Sequence, residues 1–325
     1  MQFRNLGSGG PELSVVGFGA WAIGGPWLFG WGPQDDDESL AALHRAFDLG
    51  INWVDTAAVY GLGHSEEVVG QAVREHGTDV FIFSKCGRNW YNRADRTPQN
   101  DLRPESIRFE LEQSLKRLGT DHIDLYQFHW PDTATGTPVE ESWATMAALV
   151  DEGKVRWIGV CNFPVALLER CEPIRHVDSL QPPLSLLDRR ALRELLPWCQ
   201  RHGTGVLAYS PMASGLLTGG FSAERLRDLP ADDWRHRNPE FQQPRLARNL
   251  ALVERLQPIA ERHGTTVAAV AVAWVVEQQG VTGAIVGARR PSQVDGWIAA
   301  GTLRLSEQDL EEIAAAVSET GAGRD

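Results

Sequence analysis

A regular alternation of short apolar runs with longer amphipathic runs is the feature that most constrains the fold of this chain. We predict strands near residues 14–21, 52–57, 79–86, 123–130, 155–163, 179–185, 205–211 and 283–290. A run with helical spacing follows each strand, and this alternation predicts a parallel sheet. Eight such units in one uninterrupted chain of 325 residues fit a closed (β/α)₈ TIM barrel of the α/β class, in a single domain over residues 1–325.

Some segments lie outside the eightfold repeat. We expect the residues 3–13, "FRNLGSGGPEL", to form a small hairpin that plugs the bottom of the barrel. Two extra helices near residues 291–300 and 306–318 close the chain. We expect the helix over residues 191–203 to bend at its proline, and the irregular stretch over residues 212–245 to be a functional loop.

An open, doubly wound sheet of the Rossmann type is the alternative fold. The segment "GFGAWA" at residues 17–22 follows a predicted strand and matches a dinucleotide-binding fingerprint. That fingerprint must open a helix, whereas the next residues, "IGGP" at 23–26, break one. The barrel is therefore the favoured fold, and the glycine pattern needs another explanation.

Composition narrows the functional class. The net charge of -12 argues against a protein that binds a nucleic-acid backbone, which requires a basic patch. No run of about 18 apolar residues is present, so we expect no membrane span. The cysteines form no CxxC pair and the histidines lack zinc-ligand spacing, which predicts reduced thiols and no metal site. We expect a cytoplasmic protein with a small-molecule partner.

Polar and aromatic side chains stand at the end of nearly every predicted strand. In a (β/α)₈ barrel, catalytic groups lie at the carboxyl ends of the strands. The residues at these positions are Asp55, Lys85, His129, Asn162, Gln181 and Tyr209, and Tyr60 follows Asp55 by five residues. Each has an ordinary structural interpretation when taken alone: a turn acid, a surface lysine, a core histidine or a packing phenol. Their joint placement at one rim favours a functional interpretation.

The chemistry of four of these groups is complementary. A phenol has an ordinary pKa of ~10, and a nearby ammonium lowers it by favouring the phenolate. Asp55 would hold the Lys85 ammonium charged, and a neutral His129 could orient a carbonyl oxygen. Tyr60 could then protonate an alkoxide as it forms. Because no side chain supplies hydride, the sequence predicts a nicotinamide cofactor.

Six motifs follow one another along the chain: "VDTAAVYGLGHSEEVVGQA" (54–72), "FSKCG" (83–87), "SLKRLGTDHIDLYQFHWPD" (114–132), "VRWIGVCNF" (155–163), "YSPMASGLLTG" (209–219) and "IVGARRPSQV" (285–294). In order and spacing they resemble the aldo-keto reductase superfamily over almost the whole chain, and they look most similar to the bacterial branch near the general-stress reductases and the potassium-channel β-subunits. The resemblance implies a catalytic tetrad of Asp55, Tyr60, Lys85 and His129, with Tyr60 as the general acid and Lys85 lowering its pKa.

The resemblance also implies a set of cofactor-binding residues. It places Cys161, Asn162 and Gln181 at the nicotinamide carboxamide and Tyr209 on the nicotinamide ring. It further implies a loop over the pyrophosphate and contacts at the adenosine end, which comprise Ser210, Met212, Ser214, Gly215, Leu216, Gly287, Arg289 and Gln293. Because a guanidinium pairs well with phosphate oxygens, Arg289 suits a 2′-phosphate and favours NADPH over NADH.

This chain departs from the family pattern at a few of these positions. Cys161 stands where relatives often have serine, and Leu184 stands where an aromatic residue is usual. The pair at residues 296–297 is Gly-Trp, where many relatives have Glu-Asn near the adenine. These departures concern the cofactor contacts and the width of the site, and they leave the tetrad unchanged.

The aromatic residues Trp21, Trp27, Trp90 and Trp130 follow predicted strands and could wall a substrate site. We therefore expect an NADPH-dependent reductase of a small aldehyde, a ketone or an open-chain sugar. Two alternatives remain open at this point. One is a cofactor-bound redox sensor or regulatory subunit, as the channel β-subunits are. The other is a sugar or alcohol dehydrogenase that works in the oxidative direction.

Overall fold

Eight parallel strands close into a barrel in the computed structural model, which describes residues 1–77, 79–91, 95–231 and 233–323. The barrel strands are β3 (Val16–Gly19), β4 (Trp53–Asp55), β5 (Phe81–Cys86), β8 (Ile123–Phe128), β9 (Val155–Cys161), β10 (Ser179–Gln181), β11 (Gly205–Tyr209) and β12 (Gly283–Gly287). The strands β1 (Phe3–Asn5) and β2 (Glu12–Ser14) form one separate pair, and β6 (Arg88–Asn89) and β7 (Gln99–Asn100) form another. The barrel order is β3-β4-β5-β8-β9-β10-β11-β12, and β12 pairs with β3. The predicted (β/α)₈ barrel is confirmed.

The N-terminal hairpin closes the bottom of the barrel, as the sequence predicts. Strands β1 and β2 pair antiparallel, with Phe3 opposite Ser14. Leu6 and Leu13 of this hairpin are buried in one cluster with inward-facing residues of the barrel strands, namely Trp53, Phe83, Leu125, Leu207 and Ile285. Apolar side chains therefore fill the lower part of the barrel interior, which leaves the opposite end for polar groups.

The glycines of "GFGAWA" serve packing within the barrel. Strand β3 is shorter than predicted, because residues 12–14 belong to the hairpin and Ala20–Ile23 form a 3-10 helix. A Cβ atom on Gly17 would lie 2.2 Å from Cε2 of Trp53, so the Trp53 indole occupies the place of a side chain there. The segment opens no long helix, which agrees with the rejection of the Rossmann fold.

The helices surround the barrel. They are α1 (Asp36–Asp48), α2 (His64–His76), α3 (Pro104–Leu118), α4 (Val139–Asp151), α5 (Val165–Cys171), α6 (Leu195–His202), α7 (Ala223–Arg227), α8 (Arg245–Arg262), α9 (Val267–Val276), α10 (Pro291–Trp297) and α11 (Glu307–Thr320). Helix α3 has Pro104 in its first turn and ends at Gly119, which has a φ of 68° and donates its N–H to the carbonyl of Leu115. None of the helices in the described ranges is both long and apolar enough to cross a bilayer.

Two segments differ from the sequence expectations in detail. The predicted helix over residues 191–203 is divided, because Arg190–Leu192 form a separate 3-10 helix and α6 begins only at Leu195. Pro197 thus lies in the first turn of α6, where its missing N–H removes no helical hydrogen bond and causes no bend. The stretch predicted as irregular, residues 212–245, contains α7 and several 3-10 turns.

Candidate active site

The period-two alternation of the strands positions the polar groups at the carboxyl end of the barrel. Trp53, Phe83 and Leu125 point into the barrel and belong to its apolar floor. Because side chains two positions apart along a strand share a face, the residues two positions later point into the same interior, one layer higher. On β4, β5 and β8 these residues are Asp55, Lys85 and Gln127. A buried polar layer therefore lies directly above the apolar one.

An ion pair lies at the centre of this layer. The Lys85 ammonium is 2.5 Å from Oδ1 of Asp55, donates to the Thr56 carbonyl at 2.8 Å and reaches the Tyr60 hydroxyl at 3.5 Å. Lys85 and Asp55 are only 1% and 3% exposed. Burial is the largest single influence and acts to lower the pKa of Lys85, but the charge of Asp55, with smaller contributions from Tyr60, Cys161 and the hydrogen bond to Asp55, outweighs it in sum, so the pKa lies well above its ordinary value. Lys85 is therefore an ammonium at neutral pH.

The Tyr60 hydroxyl belongs to the 3-10 helix Tyr60–Gly63 that follows β4. Burial raises the pKa of Tyr60 to about 12, Lys85 acts to lower it, and Asp55 acts to raise it. Lys85 therefore acts in the direction that the sequence analysis expects, but burial outweighs it and the net pKa lies above the ordinary value. The phenol keeps its proton at neutral pH.

The loop that carries Tyr60 approaches the loop after β3 very closely. A Cβ atom on Gly61 would lie 1.8 Å from the carbonyl oxygen of Gly24, and Gly61 has a φ of 60°. Only glycine fits this contact without a shift of the backbone. The contact fixes the turn immediately after Tyr60, and so the position of its ring.

His129 stands at the end of β8 and faces Tyr60. Its backbone N–H donates to the Cys86 carbonyl at 2.9 Å, which extends the β5–β8 pairing by one residue. The imidazole and the Tyr60 ring meet edge-on, with centroids 5.5 Å apart and planes at 81°. Burial lowers the pKa of His129 well below its ordinary value, and the cations Lys85 and Arg88 lower it further. The imidazole is therefore neutral at neutral pH.

Two buried amides support the ion pair from the neighbouring strands. Gln181 donates from Nε2 to Oδ2 of Asp55 at 2.8 Å, and Gln127 donates to the same oxygen at 3.5 Å. The Gln181 amide thus holds Asp55 in place, and the contact with the cofactor that the sequence analysis expected of Gln181 stays a prediction. Gln127 was missed, although the alternation that places Leu125 and His129 also places Gln127 between them. The feature that could have identified Gln127 is its position in the strand, two residues after Leu125 and two before His129.

Cys161 and Asn162 end β9 beside this layer. The Cys161 thiol is buried, and burial raises its pKa well above the ordinary value, so it stays protonated. Asn162 has a φ of 61°, accepts from the Tyr209 hydroxyl at 2.8 Å and donates to the His129 carbonyl at 3.1 Å. Asn162 thus connects the tetrad to the half-buried ring of Tyr209, which is predicted to stack on the nicotinamide.

The segment after β11 turns sharply through several residues with positive φ. Ser210, Ser214 and Gly215 have φ angles of 57°, 56° and 100°. No atom lies within 4 Å of a Cβ built on Gly215, so its backbone faces open space. Met212 is partly buried, whereas Leu216 is fully buried in the core. Only the backbone of Leu216 is therefore available to a ligand, so the predicted contact between Leu216 and the cofactor would involve its backbone alone.

The predicted adenosine-end residues lie at the end of β12. Gly287 is the last residue of this strand, and the Arg289 N–H donates to Oε1 of Gln293 at 2.7 Å. The Arg289 guanidinium donates from Nε to Oε1 of Gln34 at 2.5 Å, and from Nη2 to the carbonyl of Pro33. Since β9, β10, β11 and β12 are neighbours in the barrel, the predicted cofactor residues lie side by side on one sector of its rim.

Three of the four predicted substrate-site tryptophans lie at different depths near the tetrad. The Trp27 ring centroid is 6.3 Å from that of Tyr60. Trp90 belongs to the same small apolar cluster, but it is only 2% exposed and stacks on Tyr91 with centroids 4.4 Å apart. Trp130 is 43% exposed. The Trp27 ring thus lies beside Tyr60, and the substrate role of all three tryptophans stays a prediction.

Trp21 belongs to a second aromatic cluster that joins two loops. Its ring centroid lies 5.3 Å from Trp31 and 5.8 Å from Trp234. The Arg235 guanidinium carbon lies 4.7 Å from the centroid of Trp31. The Trp21 indole N–H donates to the carbonyl of Phe29 at 3.0 Å. The loop after β3 is thereby packed against the long segment after β11, a contact that the sequence did not predict.

Comparison with known proteins identifies the family to which this chain belongs. Residues 15–318 match the aldo/keto reductase family. The chain is 37% identical over 316 residues to the aldo-keto reductase YhdN of Bacillus subtilis, covering 96% of this chain and 92% of the relative. It is 36% identical over 313 residues to the NADH-specific methylglyoxal reductase of Escherichia coli, covering 94% of each.

A solved structure shares both the fold and the sequence. The glycerol dehydrogenase of Gluconobacter oxydans superimposes with a TM-score of 0.87 at 38% sequence identity. The match covers 98% of this chain and 95% of the other. This chain therefore belongs to the aldo/keto reductase family of oxidoreductases, which use nicotinamide cofactors.

Proposed function

We propose that this protein uses NADPH to reduce a small aldehyde, ketone or open-chain sugar to an alcohol, with Tyr60 as the proton donor. One observation carries the proposal. The buried Lys85 ammonium contacts both Asp55, at 2.5 Å, and the Tyr60 hydroxyl, at 3.5 Å, next to the imidazole of His129. A cation, a phenol and a neutral imidazole converge where a carbonyl oxygen would enter.

The protonation states suit this role. Tyr60 retains its proton at neutral pH because burial raises its pKa to about 12, so it is present as the acid that reduction requires. A neutral His129 can donate a hydrogen bond to a carbonyl oxygen without surrendering its proton. As negative charge develops on that oxygen, the nearby Lys85 stabilises the phenolate that Tyr60 leaves behind. Transfer of the Tyr60 proton to the oxygen completes the alcohol.

The chain's own residues suit a nicotinamide dinucleotide by their chemistry. Asn162 and Gln181 provide amides at the tetrad end that suit a carboxamide, and the Tyr209 ring lies beside them. Arg289 provides a cation at the end of β12 that suits a 2′-phosphate. When bound, the reduced cofactor supplies the hydride that adds to the carbonyl carbon. The preference for NADPH rests on Arg289, and a relative with 36% identity bears the name of an NADH-specific enzyme.

The relatives favour small, oxygen-rich substrates. One is named as a methylglyoxal reductase and another as a glycerol dehydrogenase. We therefore infer that short carbonyl compounds with a neighbouring oxygen are the substrate class, with Trp27 packing beside the reacting group. Oxidation of a polyol is the second candidate function, because the glycerol dehydrogenase is 38% identical to this chain.

The decisive experiment is the Tyr60→Phe variant, assayed with methylglyoxal and NADPH. Loss of the general acid should lower kcat by about 10²–10⁴-fold, while NADPH binding measured by calorimetry stays at the wild-type value. Tyr126→Phe is the matched control, because Tyr126 is a fully buried tyrosine of β8 outside the tetrad. A Tyr60→Phe enzyme that reduces methylglyoxal at the wild-type rate would refute the proposal.

Direction and cofactor are tested on the same wild-type protein. Reduction of a panel of short aldehydes, ketones and sugars is compared with the oxidation of glycerol, in each case with both cofactors. The proposal requires a higher kcat/KM for carbonyl reduction with NADPH. Faster oxidation of glycerol would instead select the second candidate, and equal rates with NADH would remove the preference assigned to Arg289.

A further inference from the structure

The guanidinium of Arg289 is engaged by neutral acceptors of the chain itself. Its Nε donates to Oε1 of Gln34 at 2.5 Å, and its Nη2 donates to the Pro33 carbonyl. Nε and Nη2 form one edge of the guanidinium, the edge that binds a phosphate or carboxylate through two parallel hydrogen bonds. The fork that would recognise a 2′-phosphate is therefore held by two oxygens of the loop before α1.

Those oxygens are fixed from several sides. The Gln34 side chain donates from Nε2 to Oγ of Ser39 at 2.9 Å and to the carbonyl of Arg289 at 2.9 Å. Gln34 thus bonds both the side chain and the backbone of Arg289. Upstream in the same loop, Trp31 packs against Trp21, Trp234 and Arg235. The loop is therefore tied to the barrel rim on both sides of Pro33.

The charge around Arg289 favours an anion over these neutral partners. Burial lowers the pKa of Arg289, and the neighbouring cations Arg235 and Arg290 act in the same direction, whereas Glu38 opposes them. Arg235 is itself buried and paired with Asp233 at 2.7 Å, and Glu38 is exposed at the start of α1. A phosphate can form two parallel hydrogen bonds and an ion pair with a guanidinium, whereas Gln34 and Pro33 offer only neutral oxygens. A phosphate can therefore displace Gln34.

We propose that Gln34 sets the strength of the preference for NADPH over NADH, by competing with the 2′-phosphate for the Nε–Nη2 edge of Arg289. This inference rests on the cofactor role of Arg289 in the proposed function. A 2′-hydroxyl brings no charge, so NADH leaves the Arg289–Gln34 pair intact and gains nothing from its opening. NADPH must break the hydrogen bond between Arg289 and Gln34 before its 2′-phosphate forms an ion pair with Arg289. The Gln34 side chain determines how much affinity for NADPH is lost in that exchange.

Two substitutions change this competition in opposite directions. Gln34→Ala removes the competing amide, so NADPH should bind more tightly by about tenfold or more, because a hydrogen bond to a charged group contributes at least the free energy of a tenfold change in affinity. Gln34→Glu replaces the amide with a carboxylate that pairs with Arg289 and repels the phosphate. It should weaken NADPH binding by about tenfold or more. Neither substitution should change the affinity for NADH.

The test is titration calorimetry of the full chain with NADPH, NADH and adenosine 2′,5′-bisphosphate, which requires no carbonyl chemistry. Gln308→Glu is the control, because it adds the same charge at an exposed glutamine of α11. Opposite shifts of NADPH and bisphosphate affinity in the two Gln34 variants, with NADH and the control unchanged, support the proposal. Equal shifts for both cofactors would overturn it, because they would show that the loop acts only structurally.

A third variant separates this inference from the proposed function. Arg289→Leu should abolish the difference in affinity between NADPH and NADH that the wild-type chain shows. In the Arg289→Leu background, Gln34→Ala should have no further effect on either affinity. If Arg289→Leu acts in this way but the Gln34 variants leave the ratio of the two affinities unchanged, the role of Gln34 is refuted and that of Arg289 stands. If Arg289→Leu leaves the ratio unchanged, both are refuted, while carbonyl reduction through Tyr60 remains to be judged by its own experiment.

Discussion

Asp55 and Glu110 are two buried carboxyl groups near β5, and they differ in what faces them. Asp55 lies inside the barrel with the Lys85 ammonium 2.5 Å from one of its oxygens. Glu110 lies outside the barrel on α3, where it accepts from the backbone N–H of Gly87 at 3.2 and 3.3 Å and from the Ser106 hydroxyl at 3.2 Å. Within the described ranges, no cationic side chain forms an ion pair with Glu110.

The difference in partners produces a difference in charge. Burial raises the pKa of Glu110 to about 8, while the hydrogen bonds from Gly87 and Ser106 act to lower it. Glu110 therefore keeps its proton at neutral pH, whereas the Asp55–Lys85 pair provides a fixed cation beside Tyr60. Burial of equal depth thus serves two purposes. A carboxyl group with a cation organises a proton donor, and one without a cation anchors the turn at Gly87, where the loop after β5 begins.

The largest effect is expected from removing the cation of the first pair. Lys85→Met leaves Asp55 buried without a counterion, so the free energy of unfolding should fall by about 3–5 kcal/mol. Urea denaturation at neutral pH measures this change. The double variant Asp55→Asn, Lys85→Met removes both charges and should recover about half of the loss or more, because no unpaired charge remains.

A small loss in Lys85→Met, within about 1 kcal/mol of the wild type, would contradict this account of the pair. It would mean that solvent reaches Asp55 and that the buried geometry does not persist in solution. No recovery in the double variant would mean that the packing of the Lys85 stem, rather than its charge, stabilises the barrel.

An effect of at most similar size, with a characteristic pH dependence, is expected at the second carboxyl group. The folded-state pKa of Glu110, about 8, is above that of an unfolded chain, so the folded state holds a proton that the unfolded state releases. Stability should therefore fall as pH rises between about pH 5 and pH 8, by up to ~1.4 kcal/mol per unit, and then level off. Glu110→Gln removes this titration and should become more stable relative to the wild type as pH rises.

Glu112→Gln is the matched control for Glu110→Gln. Glu112 stands two residues later on α3, is partly exposed and pairs with Lys154. Its substitution should leave the slope of stability against pH unchanged, because an exposed ion pair contributes little. Parallel curves for the wild type and Glu110→Gln would show that Glu110 is ionised in the folded state, and the contrast with Asp55 would then be lost.

The two carboxyl groups were not equally visible in the sequence. Asp55 ends a strand, and strands of a barrel deliver their ends to one rim, so alternation alone brings Asp55, Lys85 and His129 together. Glu110 lies in the segment "FELEQ", where nothing in residue type separates it from Glu112. Only its position three residues after the buried Ile107 places it on the inner face of α3.

Other features depend on contacts that strand order does not determine. The barrel and its hairpin follow from local periodicity, and the structure has both. The pairing of Gln34 with Arg289 and of Trp31 with Trp234 joins loops that are far apart in sequence. Loop conformation is set by such long-range packing rather than by a repeating pattern, so neither contact was predictable. The net pKa of Tyr60 was not predictable for a related reason, because the depth of burial that raises it is a tertiary property.

The smallest expected effect concerns the hydroxyl that faces Glu110. Ser106→Ala removes a donor to the carboxyl group and leaves the buried Asn89 amide, which donates to Ser106 at 2.8 Å, without that acceptor. The loss of stability should be about 1 kcal/mol at acidic pH. It should grow as pH rises, because the Ser106 hydroxyl lowers the pKa of Glu110 by stabilising its charged form, and that form is populated only near and above about pH 8. In a Glu110→Gln background the same substitution should have a cost that does not vary with pH. Urea denaturation of the wild type, the two single variants and the double variant at acidic and alkaline pH measures the cost of Ser106→Ala with and without Glu110. A pH-dependent cost that persists without Glu110 would assign the titration to another group.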